Sequence, residues 1–174
     1  MKRIHIGEFE ITSEGAVISD PCYEPGTWCA AVLNKVMIGT WTAYVISLEN
    51  GRVDKLLAFF GQSERASSWQ VIPETIGVDS GQCGIFDSRH YQDDSVVMTV
   101  ERMGPEIIRE EEPWYSICCD RTINTEHSAG VIPYGCVSSS GYGDGSYRCE
   151  IQKDIEGYVV GIQVTFITDI ETED

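Results

Sequence analysis

The sequence has no long apolar run and few basic residues. No stretch approaches the roughly 18 to 20 consecutive apolar residues that a membrane-spanning helix requires. There are only 12 Lys and Arg against 28 Asp and Glu, for a formal net charge of −16. Nonspecific binding to phosphate backbones or anionic lipid depends on Lys and Arg. We therefore expect an acidic, soluble protein that binds neither nucleic acid nor membrane, although such a surface could also mimic nucleic acid toward a basic partner.

Export and metal-binding signals are also missing. The start carries Lys2 and Arg3 but no apolar segment behind them, so it does not resemble a secretory signal, and we expect a cytoplasmic protein. The seven cysteines are odd in number and include no C-x-x-C pair, which favours reduced core residues over disulfides or structural zinc. If Cys118 and Cys119 lie on a strand, they point to opposite faces and cannot easily share a metal.

No repeat and no low-complexity linker divides the chain, so we expect a single domain, 1–174, with a frayed acidic tail at 169–174. Short segments rich in β-branched and aromatic residues alternate with Gly- and Pro-rich turns. This pattern predicts a mainly β fold, an antiparallel β-sandwich or open barrel with one or two short helices. The predicted strands are 5–11, 15–19, 36–48, 52–60, 69–72, 76–79, 83–86, 96–101, 114–120, 130–138, 146–152 and 158–168, with a short helix at 27–34, a single turn after Asp87 and an exposed acidic excursion at 106–112.

Residues 138–147 form the most unusual loop, with three glycines, four serines and one carboxylate. Glycine admits positive φ, so backbone amides could converge on an anion, while Asp144 could instead offer a carboxylate to a hard cation. The other interpretation is a tight hairpin or bulge whose Asp side chain bonds its own backbone. The candidate binding residues here are Ser140, Gly143, Asp144, Gly145, Ser146 and Tyr147.

A second candidate loop lies within residues 78–87, where two carboxylates bracket a glycine pair. If Asp79 and Asp87 close opposite ends of a hairpin, they could meet and bind a divalent cation. The other interpretation is an Asx turn at Asp79 and a helix cap at Asp87. Asp79, Ser80, Gly81 and Asp87 are the candidate binding residues of this loop.

The third candidate loop begins at Asp20-Pro21-Cys22-Tyr23, where two prolines in residues 20–26 exclude a continuing strand. It places a carboxylate, a thiol and a phenol together, so Asp20, Cys22 and Tyr23 are candidate binding residues. A nucleophilic cysteine needs a base or a positive charge nearby, and no histidine is close in sequence. A Cys–His dyad could form only through folding; otherwise Cys22 is an inert, half-buried thiol.

The motifs V-D-S-G at 78–81, G-I-F-D at 84–87 and G-D-G-S-Y at 143–147, followed by the D-I-E-G turn at 154–157 and a final apolar strand, resemble the bacterial domain-of-unknown-function 4241 family. The resemblance covers about residues 78–166. The D-P-C-Y segment at 20–23 is similar to small uncharacterised bacterial and phage proteins. The family resemblance implies a β-rich fold and supplies no established activity.

No catalytic constellation is complete, and function tends to lie on loops held by a rigid scaffold. We therefore expect a non-enzymatic binding or interaction module, with no cofactor, that recognises a protein or small-molecule partner through its Asp/Gly-rich loops. The alternative is a divalent-metal-dependent hydrolase or nucleotide-handling enzyme. In that hypothesis Asp79, Asp87 and Asp144 hold a cation that activates water or clamps phosphate.

Overall fold

The computed structural model describes residues 1–61, 67–105 and 111–167. Within these ranges the chain forms eleven strands, one α-helix and two 3₁₀ helices. The strands are β1 Lys2–Ile11, β2 Ala16–Ser19, β3 Ala31–Leu33, β4 Gly39–Ser47, β5 Val53–Phe60, β6 Gln70–Val78, β7 Gln82–Asp87, β8 Ala129–Ile132, β9 Gly135–Ser139, β10 Gly145–Lys153 and β11 Val159–Thr165; the helix is α1 Pro113–Ile123, and the 3₁₀ helices are Ser88–His90 and Asp94–Val97.

The strands form two antiparallel sheets that do not close into a barrel. The six-stranded sheet has the order β1-β4-β5-β11-β10-β6, and the five-stranded sheet has the order β3-β2-β7-β9-β8. The main core lies between the sheets and contains alternate strand residues such as Trp41, Val45, Ile85, Ile162 and Val164. The prediction of a mainly β antiparallel fold is therefore confirmed, and of its two forms the sandwich is the one observed.

A second apolar layer covers the outer face of the five-stranded sheet. Phe86 and Val137 point away from the main core and pack against Trp114 and Ile117 of α1 and against Tyr91. The rings of Phe86 and Trp114 lie 5.1 Å apart. This sheet is consequently buried on both faces, so its strands lack the regular polar alternation of a half-exposed sheet.

Several strand predictions hold. The segments predicted as strands at 36–48 and 52–60 pair as β4 and β5 across an Asn-Gly turn, and those predicted at 146–152 and 158–168 pair as β10 and β11. The predicted strands 69–72 and 76–79 merge into β6, which tolerates Pro73 because it lies at the edge of its sheet. The strand predicted at 158–168 is observed as β11. Its two faces are both covered, because Gln163 and Thr165 on one face are buried and so is Val164 on the other.

Other predictions were wrong, each for a local reason. Residues 114–120 are helical because Pro113 occupies the first helical position, where its missing amide costs nothing. The stretch 27–34 is too short to be a stable helix, and its end pairs with β2 as β3. The segment predicted as a strand at 96–101 instead begins within the 3₁₀ helix Asp94–Val97. The Asp93 carboxylate caps this helix by accepting from the Ser95 amide at 3.0 Å.

The strands predicted at 5–11 and 15–19 do not pair with each other as a hairpin, since β1 pairs with β4 and β2 pairs with β3 and β7. The chain therefore changes sheet between β1 and β2. Most of the excursion predicted at 106–112 and all of the tail predicted at 169–174 fall outside the residues that the structure describes. Across the part of the chain that it does describe, no helix is both long and apolar enough to traverse a bilayer.

Candidate functional site

Loops from three distant parts of the sequence meet at one end of the sandwich. They are the 20–30 loop between β2 and β3, the 79–81 turn between β6 and β7, and the 140–144 loop between β9 and β10. The Ser140 amide donates to the Gly81 carbonyl at 3.1 Å, and Gly145 pairs with Val78. Twelve of the thirteen residues predicted to bind a partner therefore belong to this end; the exception is Asp87.

The buried carboxylate of Asp20 joins two of these loops. Its Oδ2 atom accepts from the Asp79 and Ser80 amides at 2.8 and 2.7 Å. Its Oδ1 atom accepts from the Cys22 amide at 2.9 Å and from the Ser80 hydroxyl at 2.7 Å. Because the carboxylate is fully buried, these four donors replace the water it loses on folding. Asp20 is thus a residue that builds the site rather than one that contacts a ligand.

Tyr91 and Gln92 hold the same loop from the other side. The Tyr91 hydroxyl donates to the Tyr23 carbonyl at 2.6 Å, and the side-chain Nε2 of Gln92 donates to the Pro21 and Tyr23 carbonyls at 3.0 and 2.8 Å. The Tyr23 hydroxyl in turn donates to Asp79, and this hydrogen bond raises the pKa of the phenol. The backbone of residues 20–23 is consequently fixed from two directions.

Two adjoining cavities form a cleft beside this loop. Their volumes are about 250 and 270 Å³, and they share Cys22, Gln92, Glu112 and Tyr115. The smaller is also lined by Glu24, Asp94 and Trp114, and the larger by Pro21, Asp79 and Ser80. We call these ten residues the end cleft. They come from four separate segments of the chain, which only folding brings together.

The end cleft is acidic. Four of its ten residues are carboxylates, namely Glu24, Asp79, Asp94 and Glu112, and the lining that the structure describes includes no Lys, Arg or His. Asp94 also accepts from the Trp114 amide at 3.0 Å and so satisfies a free donor in the first turn of α1. The arrangement is suited to a ligand that offers hydrogen-bond donors or positive charge.

Cys22 is the exposed one of the seven cysteines; the other six are buried. Partial burial, a hydrogen bond with Asp20 and the negative charges of Asp20 and Asp79 raise the pKa of its thiol to about 12. The thiol is therefore protonated at neutral pH, which opposes a role as nucleophile. No histidine lines the described part of the cleft, so the Cys–His dyad is not formed there.

The glycine-rich loop at 140–144 bonds mainly to itself. The Ser140 hydroxyl and the Tyr147 hydroxyl both donate to the Gly143 carbonyl, at 2.8 and 2.5 Å. The Gly143 amide donates to the Ser140 carbonyl at 3.2 Å. Asp144 is exposed. The next residue, Gly145, pairs with Val78, and this pairing places Asp144 beside the 79–81 turn. The loop borders the end cleft without lining either cavity.

The expected cluster of Asp79, Asp87 and Asp144 is wrong, since Asp87 lies at the opposite end of β7. Six residues of extended strand separate the two ends by about 17 Å. Asp87 instead accepts from the Thr12 amide at 2.8 Å and from the Ser13 hydroxyl at 2.5 Å. No group of three or more metal-ligating His, Cys, Asp or Glu side chains occurs among the residues described. The capping interpretation of Asp87 is the one observed.

Gln92, Asp94, Glu112, Trp114 and Tyr115 of the end cleft were not predicted from the sequence. Trp114 and Tyr115 lie in a segment interpreted as a strand, and Glu112 lies in the segment interpreted as an exposed excursion. Gln92 and Asp94 fall between the turn predicted after Asp87 and the strand predicted at 96–101. The one available signal was Pro113, which commonly begins a helix and would have brought the following aromatic residues onto a helical face. Comparison with protein-family models, curated proteins and solved structures found no match.

Proposed function

We propose that the protein is a non-enzymatic binding module that recognises its partner in the end cleft. The observation that carries the proposal is the convergence of four chain segments around two adjoining cavities of about 250 and 270 Å³. The backbone that supports the cleft is held by the buried Asp20 carboxylate and by Tyr91. A cleft that is already formed loses little conformational entropy when it binds.

The chemistry of the lining favours a ligand with positively charged groups. Four carboxylate residues line the cleft, and the protein as a whole carries a net charge of −16, which attracts cations and repels anions over several ångströms. Tyr115 adds an aromatic surface on which a guanidinium or ammonium group can pack. A lysine- or arginine-bearing segment of another protein fits these requirements.

The protonated thiol supports binding rather than covalent catalysis. Cysteine catalysis requires a thiolate, and the neighbouring carboxylates of Asp20 and Asp79 disfavour that form of Cys22. The Ser80 hydroxyl is engaged with the Asp20 carboxylate at 2.7 Å and so helps to hold the loop. Both side chains thus hydrogen-bond with the Asp20 carboxylate and help to build the cleft.

A random peptide library selected on the immobilised protein tests the proposal. We expect enrichment of peptides rich in Lys and Arg, and we expect the double variant Asp79→Asn/Glu112→Gln to lose most of it, because two of the four lining carboxylates are neutralised. The matched control is Glu126→Gln/Glu156→Gln, which removes the same charge from positions outside the cleft. Equal enrichment by all three proteins, or enrichment of acidic or neutral peptides, would contradict the proposal.

A further inference from the structure

Strand β1 ends the six-stranded sheet, and in the described part of the chain it pairs only with β4. It is ten residues long, and half of its residues are exposed, including Arg3, His5, Glu8 and Glu10. A long terminal strand presents a row of unpaired backbone groups that can add another strand. The other terminal strands are less suitable, since β3 and β8 have three and four residues and β6 contains Pro73.

The charges of β1 are divided between its two halves. Arg3 and His5 lie opposite Ile46 and Tyr44 of β4, and Glu8 and Glu10 lie opposite Thr42 and Thr40. Those four β4 residues alternate along one strand and so share one face of the sheet. The four β1 side chains therefore project from the same outer face, basic groups toward the start of the strand and acidic groups toward its end.

A bulge at the centre of β1 makes this pattern symmetric. The register with β4 shifts between His5 and Gly7, so Ile6 is an extra residue. Ile4 and Ile6 pack on the core side, as does Phe9. Gly7 has no side chain but lies opposite the core residue Ala43, so its position also faces the core. From Arg3 to Glu10 the successive positions thus face out, in, out, in, in, out, in, out, and this order is the same in both directions.

We propose that a second copy of this chain pairs with β1 through its own β1, antiparallel and about a twofold axis between Ile6 and Gly7. In this register Arg3 lies opposite Glu10 of the other copy and His5 lies opposite Glu8. Each pair then shares a face and has complementary chemistry. The two Arg3–Glu10 pairs are opposite in charge and stabilise antiparallel strands, and each His5 ring can donate a hydrogen bond to Glu8 of the other copy. The two sheets then become one continuous sheet.

The bulge selects this register over its neighbours. A shift by one residue would set Arg3 opposite Phe9, which projects from the other face, and directly paired residues of antiparallel strands must share a face. The net charge of −16 on each copy opposes association. At physiological ionic strength this repulsion is screened beyond about 8 Å, whereas the paired charges on adjacent strands lie closer than that.

Sedimentation analysis of the full chain from micromolar to about 1 mM concentration tests the proposal. We expect a monomer–dimer equilibrium in the wild type. Arg3→Glu and Glu10→Arg should each raise the dissociation constant about tenfold, because the symmetry makes one substitution create two like-charge pairs. The combined variant Arg3→Glu/Glu10→Arg should return the constant to within about threefold of wild type, since it restores both pairs with exchanged signs.

Glu74→Arg on β6 is the matched control, because it makes the same charge change on the other terminal strand of the sheet. It should leave the dissociation constant unchanged. Hydrogen exchange of the amides in residues 3–10 provides a second readout and should slow as concentration rises. A wild type that is monomeric throughout overturns the proposal. So does a dimer that is insensitive to the single substitutions, not restored by the combined variant, or weakened equally by Glu74→Arg.

Discussion

Replacing Asp20 by Asn tests whether one carboxylate holds the end cleft together. The change preserves the shape of the side chain but leaves one acceptor oxygen where two now accept from four donors. If that oxygen stays with the Asp79 and Ser80 amides, the new NH₂ group faces the Cys22 amide. Two donors then oppose each other in a fully buried position, although the Ser80 hydroxyl can turn and accept.

The size of the effect follows from the number of hydrogen bonds affected. A hydrogen bond to a charged group contributes about 1.5–3 kcal/mol, and a buried donor without an acceptor costs about 1–3 kcal/mol. The Asn variant weakens two bonds and leaves one amide without an acceptor, but it keeps the fold. We therefore expect its free energy of unfolding to fall by about 2–4 kcal/mol. That corresponds to a decrease in Tm of roughly 5–15 °C for a chain of this size.

Urea unfolding followed by tryptophan fluorescence measures this change, because Trp41 and Trp114 are buried in the two apolar layers. The midpoint should decrease while the m-value stays constant. Alkylation of Cys22 gives a local readout. The hydrogen bond and the charge of Asp20 both raise the pKa of that thiol, so the Asn variant should react faster at a fixed pH.

Asp144→Asn is the control for the same experiment. It removes the same charge from an exposed neighbouring loop, and its free energy of unfolding should stay within about 0.5 kcal/mol of wild type. If Asp20→Asn unfolds at the wild-type urea concentration, or if both variants lose the same amount of stability, the Asp20 carboxylate does not hold the end cleft together.

Three other predictions concern single residues. In the native protein we expect alkylation of one thiol, Cys22, with a rate that rises as the pH approaches about 12; a second rapid adduct in the mass spectrum contradicts this. Burial opposes ionisation of Asp87, but hydrogen bonds outweigh it and lower its pKa from the usual 3.8. Its stabilisation is therefore present above that value and lost as the pH falls through the lower folded-state pKa. The stability difference between wild type and Asp87→Asn should accordingly shrink below about pH 4, and a constant difference argues against it. Gly84→Ala should lower stability by about 2 kcal/mol or more, since its Cβ would lie 2.2 Å from the Phe86 ring and 2.6 Å from the Cys136 carbonyl; calorimetry showing an unchanged Tm rules this out.

Strands with regular alternation and a clear turn could be predicted from the sequence. β11 is an example, because Ile162 and Val164 alternate with Gln163 and the chain reverses at Gly157. The segment around Cys118 could not be predicted in this way, since a short apolar run looks alike in a buried strand and a buried helix. Tertiary packing decided in favour of the helix, because Trp114 and Ile117 cover the outer face of the five-stranded sheet.

The loops of the candidate site were recognisable, but their arrangement was not. Asp20 and Asp79 each stood out as carboxylates beside turn-forming residues, yet nothing local indicated that one side chain would bind the backbone of the other, 59 residues away. The same limitation explains Asp87, whose position in the sequence is close to Asp79 but which lies at the other end of a straight strand.

By itself, the sequence determined the antiparallel β character of this chain, its acidity and the composition of its turns, because these depend on residue type and on spacing over a few positions. Only the tertiary structure decided which carboxylates came together and which remained apart. It also decided that Glu112, Trp114 and Tyr115 would line the end cleft. Contacts between distant segments depend on how the sheets pack as a whole, and local spacing carries no record of that packing.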